Sequence, residues 1–116
     1  MAAAAYKEIL AVTPGDAIAK IGLLNVNLLQ RTDGRDFSAD IENLNLDTES
    51  VLRAADAIFL TGEFSESFAL LIEHLKNVTG TERDQTRERV LELFEIAGPT
   101  DDAVAKARIA LTNALF

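Results

Sequence analysis

The 116-residue chain holds few side chains able to do covalent or metal chemistry. It has no cysteine and a single histidine, His74. Disulfides, thiolate zinc sites, iron–sulfur clusters and cysteine nucleophiles are therefore excluded, and histidine-cluster metal sites lack ligands. A serine–histidine triad would need a nucleophile on a strained turn, and no G-x-S-x-G occurs. His74 follows Leu71 by three residues in an apolar helical stripe and reads as a residue at the edge of packing.

The acids offer little more. Asp33, Asp36, Asp40 and Glu42 suggest a calcium loop, but Asp33-Gly34-Arg35-Asp36 breaks the D-x-[DN]-x-[DN]-G order. A solvated acidic loop accounts for them. Asp101-Asp102 reads as a helix start favoured by the helix dipole, not as a metal pair. Arg83, Arg87 and Arg89 alternate with Glu82, Asp84, Glu88, Glu92 and Glu95, the pattern of a salt-bridged outer face. Nineteen acids against eleven bases give a net charge of −8, the wrong sign for a phosphate-backbone binder. No apolar run reaches the roughly 18 residues of a membrane span, and Met1 to Tyr6 lacks the basic flank of a signal peptide. The expectation is a cytoplasmic, non-catalytic protein with no metal and no cofactor, and with neither nucleic acid nor membrane as a partner.

Helix signals dominate the rest. Apolar residues at helical spacing and turn residues between them predict helices over 2–12, 17–31, 48–60, 63–78, 81–96 and 102–115. Asp16, Thr81 and Asp101 (or Thr100) are the expected N-caps. In the second helix the stripe is Ile18, Ile21, Leu24 and Leu28. In the fifth it is Val90, Leu91, Leu93 and Phe94. Arg35 to Asp47 reads as a short helix plus loop. No alternating strand pattern competes, so the fold class is all-α with about six helices.

Gly62, Gly80 and Gly98 stand eighteen residues apart, the length of one helix and a tight turn. Two such units make about 36 residues, near the roughly 34-residue period of helix–turn–helix repeats. A 36-residue shift lays Ala54 on Val90, Ala55 on Leu91, Ile58 on Phe94, Gly62 on Gly98, Phe68 on Val104 and Leu75 on Leu111. Small and apolar positions keep their class. Val51, Ala54, Ala55 and Ile58, then Ser67 and Leu71, occupy the tetratricopeptide pattern in degenerate form. Small residues at Ala55, Ser67 and Ala103 should let paired helices approach closely. Ala2, Tyr6 and Pro14 fit the second helix of such a repeat, so the chain is expected to begin inside one, as a fragment with sequence missing upstream.

Arg87 to Phe116, with its R-x-R-V-L-E-L-F-E helix, Gly-Pro turn and A-R-x-x-L-x-x-A-L-F ending, resembles the C-terminal region of actinobacterial thioredoxin-like co-chaperones of the YbbN (CnoX) family. Ala54 to Gly62 and Phe68 to Leu75 resemble the preceding hairpin of that family. The resemblance implies that residues 1–116 form a single tetratricopeptide-like domain whose N-terminal thioredoxin partner is absent. It implies further that the domain binds unfolded clients, and a chaperonin or Hsp70-type chaperone. The competing expectation is an accessory or dimerisation module of a thiol–disulfide oxidoreductase, with no client binding of its own. Thiol exchange itself has no residue here to perform it. The residues expected to meet partners are Leu115 and Phe116, which end the chain on an apolar stripe, and then Asp36 and Asp40 in its most acidic stretch.

Overall fold

The computed structural model describes residues 2–12, 15–32 and 47–116. Those residues form six helices and no strand, so the all-α expectation holds. They divide into two compact units, Met1–Gly34 and Arg35–Phe116. The short helix expected after Arg35 lies outside the described residues.

The first unit contains α1 (Ala2–Val12) packed on α2 (Ala17–Thr32). Asp16 starts α2 as expected, its Oδ1 accepting the Ala19 N–H at 2.8 Å. The expected stripe is only partly buried. Leu28 is enclosed, but Ile18 is 83% exposed and Ala19 is buried in its place. Nine residues at about 100° each set Ala19 and Leu28 on opposite sides of the axis. Burial on α2 therefore follows no single stripe.

The second unit contains α3 (Thr48–Leu60), α4 (Phe64–Leu75), α5 (Gly80–Ala97) and α6 (Asp102–Leu115). Asp47 caps α3, accepting the Ser50 N–H at 2.7 Å, and Asp101 caps α6 through the Ala103 N–H at 2.8 Å. The Ser50 backbone and hydroxyl hydrogen bonds hold the Asp47 carboxyl below its ordinary value of 3.8. Two boundaries differ from expectation. The fourth helix stops at Leu75, because the Asn77 N–H turns back to the His74 carbonyl and its side-chain amide caps the Glu73 carbonyl. The fifth begins at Gly80 with Thr79 in the cap position, so Thr81 is already helical.

Gly62, Gly80 and Gly98 adopt φ of 91°, 62° and 101°, and no other described residue has positive φ. Their regular spacing thus marks three backbone reversals that side-chain-bearing residues resist.

Helix α4 is the hub, packing against α3, α5 and α6. Its Phe68, Leu71 and Leu75 are at most 1% exposed. Against α3 the approach is close: Ala55 and Ser67 are fully buried and the Ser67 hydroxyl donates to the Ala55 carbonyl at 2.7 Å. Small side chains at the contact permit that approach, as the sequence indicated. The same closeness was expected at Ala103, but α5 and α6 touch each other little and both rest on α4. Leu91 stands where the first hairpin has Ala55, and it is exposed where Ala55 is buried. Phe94 fills the joint, meeting Phe68 edge-on at 4.9 Å between ring centroids.

Candidate interaction surface

The histidine has a structural task. His74 is buried, and its Nε2 lies 2.9 Å from the Thr48 hydroxyl, tying the start of α3 to the end of α4. Asp101 is occupied as a cap, and no group of three potential metal ligands converges among the described residues.

The arginine-rich helix is less uniform than its sequence suggests. Arg89 does not lie on an outer face. It turns inward to the carboxylate of Asp56 on α3, which is 4% exposed, and also approaches the Leu52 carbonyl at 3.4 Å. Glu92 completes the group, 3.4 Å from the Arg89 Nε. This clasp crosses from one hairpin to the next. The sequence carried no signal for it beyond a charge at an apolar-flanked position. Arg83 reaches the Leu115 carbonyl at 3.4 Å, fastening the end of α6 to the start of α5. Arg87 remains exposed, in keeping with the outer-face expectation.

Leu115 is half-buried and Phe116 wholly exposed, at 100%. Asp36 and Asp40 lie outside the described residues.

Among the described residues, two grooves border α6. One, of about 330 Å³ on the α4 side, is floored by Phe68, Ile72, Ala103 and Ala107 and edged by Lys76 and Lys106. Lys76 is engaged by Glu73 at 3.6 Å. The other, of about 400 Å³, lies between α5 and α6 and is lined by Leu91, Phe94, Glu95, Arg108, Leu111 and Thr112. The Arg108 guanidinium sits over the Phe94 ring, 5.9 Å from its centroid. Leu91 was expected in the core with Val90 and Leu93, but it is 45% exposed on this second groove. Both grooves have a mainly apolar lining surface, which suits an apolar, extended or helical protein segment better than a small polar substrate.

Comparison with known proteins agrees with this architecture. The tetratricopeptide repeat family matches residues 29–116, three quarters of the chain. The chain belongs to the tetratricopeptide repeat family. Within its second unit, α3 and α4 form one helical hairpin of the repeat, and α5 and α6 form the next. Tetratricopeptide repeats generally mediate protein–protein interaction, and the fold is typically non-catalytic.

Similar curated proteins include an uncharacterized protein of Mycobacterium bovis and two uncharacterized proteins of Mycobacterium tuberculosis. Each is 33% identical over 113 residues, which is 96% of this chain and 37% of the relative. The chain thus spans little more than a third of the relatives it matches. No solved structure matches it. No helix among the described residues is long and apolar enough to cross a membrane.

Proposed function

We propose that this tetratricopeptide region is the protein-binding part of a thioredoxin-like co-chaperone of the YbbN (CnoX) type. In this reading residues 1–116 act as one binding domain of a longer cytoplasmic protein. The domain holds unfolded or oxidatively stressed clients and passes them to a chaperonin or Hsp70-type chaperone. Any thiol chemistry belongs to a thioredoxin domain elsewhere in that protein, because this region has no cysteine.

The observation that carries the reading is the end of α6. Leu115 is half-buried and Phe116 is wholly exposed beside it, an apolar end on a helix whose other side is packed on α4. A large aromatic side chain held in water is available to a client's apolar segments. The acidic stretch with Asp36 and Asp40 would add a preference for basic or neutral clients.

The test is light scattering from a cysteine-free client aggregating on dilution from denaturant. The chain should suppress the signal, and a Leu115→Ser/Phe116→Ser variant with unchanged helicity should suppress it markedly less. Equal suppression by the folded variant would remove these two residues from the proposal. No suppression by the chain itself would leave the accessory or dimerisation role in its place.

A further inference from the structure

Helix α5 is gripped on one side and open on the other. Arg89 and Leu91 stand two residues apart, so at about 100° per residue they lie on nearly opposite sides of the helix. On the first side the Arg89 Nη1 meets both the Asp56 carboxylate and the Leu52 carbonyl, groups about one turn apart on α3. From α5 itself, Glu92 approaches the Arg89 Nε at 3.4 Å. The guanidinium is thus held by both helices, and its planar fork of donors sets direction as well as distance. Asp56 is only 4% exposed, so water and salt screen its attraction to Arg89 little.

On the opposite side Leu91 is 45% exposed on the groove of about 400 Å³ that separates α5 from α6. Moving α5 toward α6 would bury this leucine and the apolar lining around it, a change the hydrophobic effect favours. The gap nevertheless stands open. Packing of α5 on α4 does not explain it, because apolar contacts through Val90 and Leu93 are non-directional and tolerate a small roll of the helix. The contacts from α5 to α6 are made by long side chains. Arg108 lies over Phe94, and Arg83 reaches the Leu115 carbonyl at 3.4 Å. Such rotamer-rich side chains can follow a change in helix separation. The ionic grip on α3 is the contact that resists the roll.

We infer that the Arg89 clasp is a conformational lock that holds the groove between α5 and α6 open. Locked, α5 is drawn toward α3 and away from α6. Released, α5 rolls on α4 toward α6, and Leu91 becomes buried as Ala55 is in the first hairpin. Arg89 and Asp56 are then positioning residues for a groove that neither of them lines. The lock concerns the shape of the groove and is independent of the client-holding proposal, since Leu115 and Phe116 do not line it.

The test measures distances between spin labels on the full chain, which has no cysteine of its own to interfere. Arg87→Cys with Asn113→Cys marks α5 against α6, and Glu49→Cys with Arg87→Cys marks α3 against α5. All three positions are exposed. Adding Asp56→Leu/Arg89→Met should shorten the α5–α6 distance and lengthen the α3–α5 distance. Each change should exceed the about 1–2 Å of ordinary helix adjustment at an interface. Glu92→Gln loosens one side of the grip and keeps Asp56 paired, so it should move both distances the same way by a smaller amount. Lys76→Ala removes an exposed ion pair outside the clasp and should move neither. Unchanged distances in the folded double variant would overturn the inference. So would broader distributions without a shorter α5–α6 distance, the result expected of a pair that only stabilises. If the double variant does not fold, Glu92→Gln decides, and distances that stay where they were overturn the lock.

Discussion

The α3–α4 and α5–α6 hairpins carry the same residue classes at the same repeat positions, yet they are built differently. In the first, Ala55 and Ser67 bring the helices into contact close enough for a side-chain-to-backbone hydrogen bond of 2.7 Å. In the second, Leu91 replaces Ala55 and the helices separate around Phe94. Helix α5 lies on the first hairpin, and a groove lined by Leu91, Phe94, Arg108 and Leu111 separates the helices of the second. Repetition of a pattern thus fixes where helices turn, while the residue at one repeat position is fully buried as Ala55 and 45% exposed as Leu91. A solenoid can thereby use one unit as scaffold and its neighbour as surface.

The contrast is sharpest at its defining pair. Ala55→Asp would place an unpaired carboxylate at a fully buried contact, and should cost about 3–5 kcal/mol in urea denaturation or prevent folding altogether. Leu91→Asp should change stability by no more than about 0.5 kcal/mol in the same measurement. Comparable losses at both sites would mean that the second hairpin is as closed as the first.

The clasp between the hairpins gives the next effect. Asp56→Ala leaves Arg89 in a largely enclosed position without its main partner, and should cost about 3 kcal/mol. Asp56→Leu combined with Arg89→Met should recover most of that loss, since the buried charge is removed with its partner. A double variant no more stable than Asp56→Ala would show that the charges themselves are required.

Backbone strain comes third. Gly98 has φ 101° and ψ 147°, and a Cβ placed there meets nothing within 4 Å. Gly98→Ala should therefore cost about 1–3 kcal/mol from conformation alone. A loss near zero would place the turn in an ordinary backbone region.

The smallest effect concerns pH. The Asp47 carboxyl is held below 3.8 by its Ser50 hydrogen bonds, so its contribution to stability is complete above 3.8. That contribution disappears as pH falls through 3.8 toward the lowered folded-state value. Asp47→Asn keeps a capping oxygen but cannot titrate, and should flatten the acid limb of the stability curve in that window. An unchanged slope would assign the acid sensitivity to other carboxylates.

Much of the fold was legible residue by residue. The caps at Asp16 and Asp101, the three reversing glycines and the close pair Ala55–Ser67 each follow from local chemistry that neighbours in sequence supply. The Thr81 cap was misplaced because Thr79 and Thr81 flank the same glycine, and only the backbone path through Gly80 distinguishes them. Among the partner-facing candidates, Leu115 and Phe116 could be read from the apolar ending of α6. Leu91 could not, because its spacing fits the core stripe of α5 as well as the outer one. Arg89 was hidden for the converse reason: its buried partner is 33 residues away in sequence.

The sequence by itself determined the helices, their turns and the repeat, since capping, glycine conformation and apolar spacing act within a few residues. Only the tertiary structure decided which apolar side chains are core and which are surface. Burial depends on whether another helix lies over a given face, and periodicity records the face without recording the neighbour. Ala55 and Leu91 share a repeat position, but α4 closes on Ala55 through Ser67 while Leu91 lines an open groove.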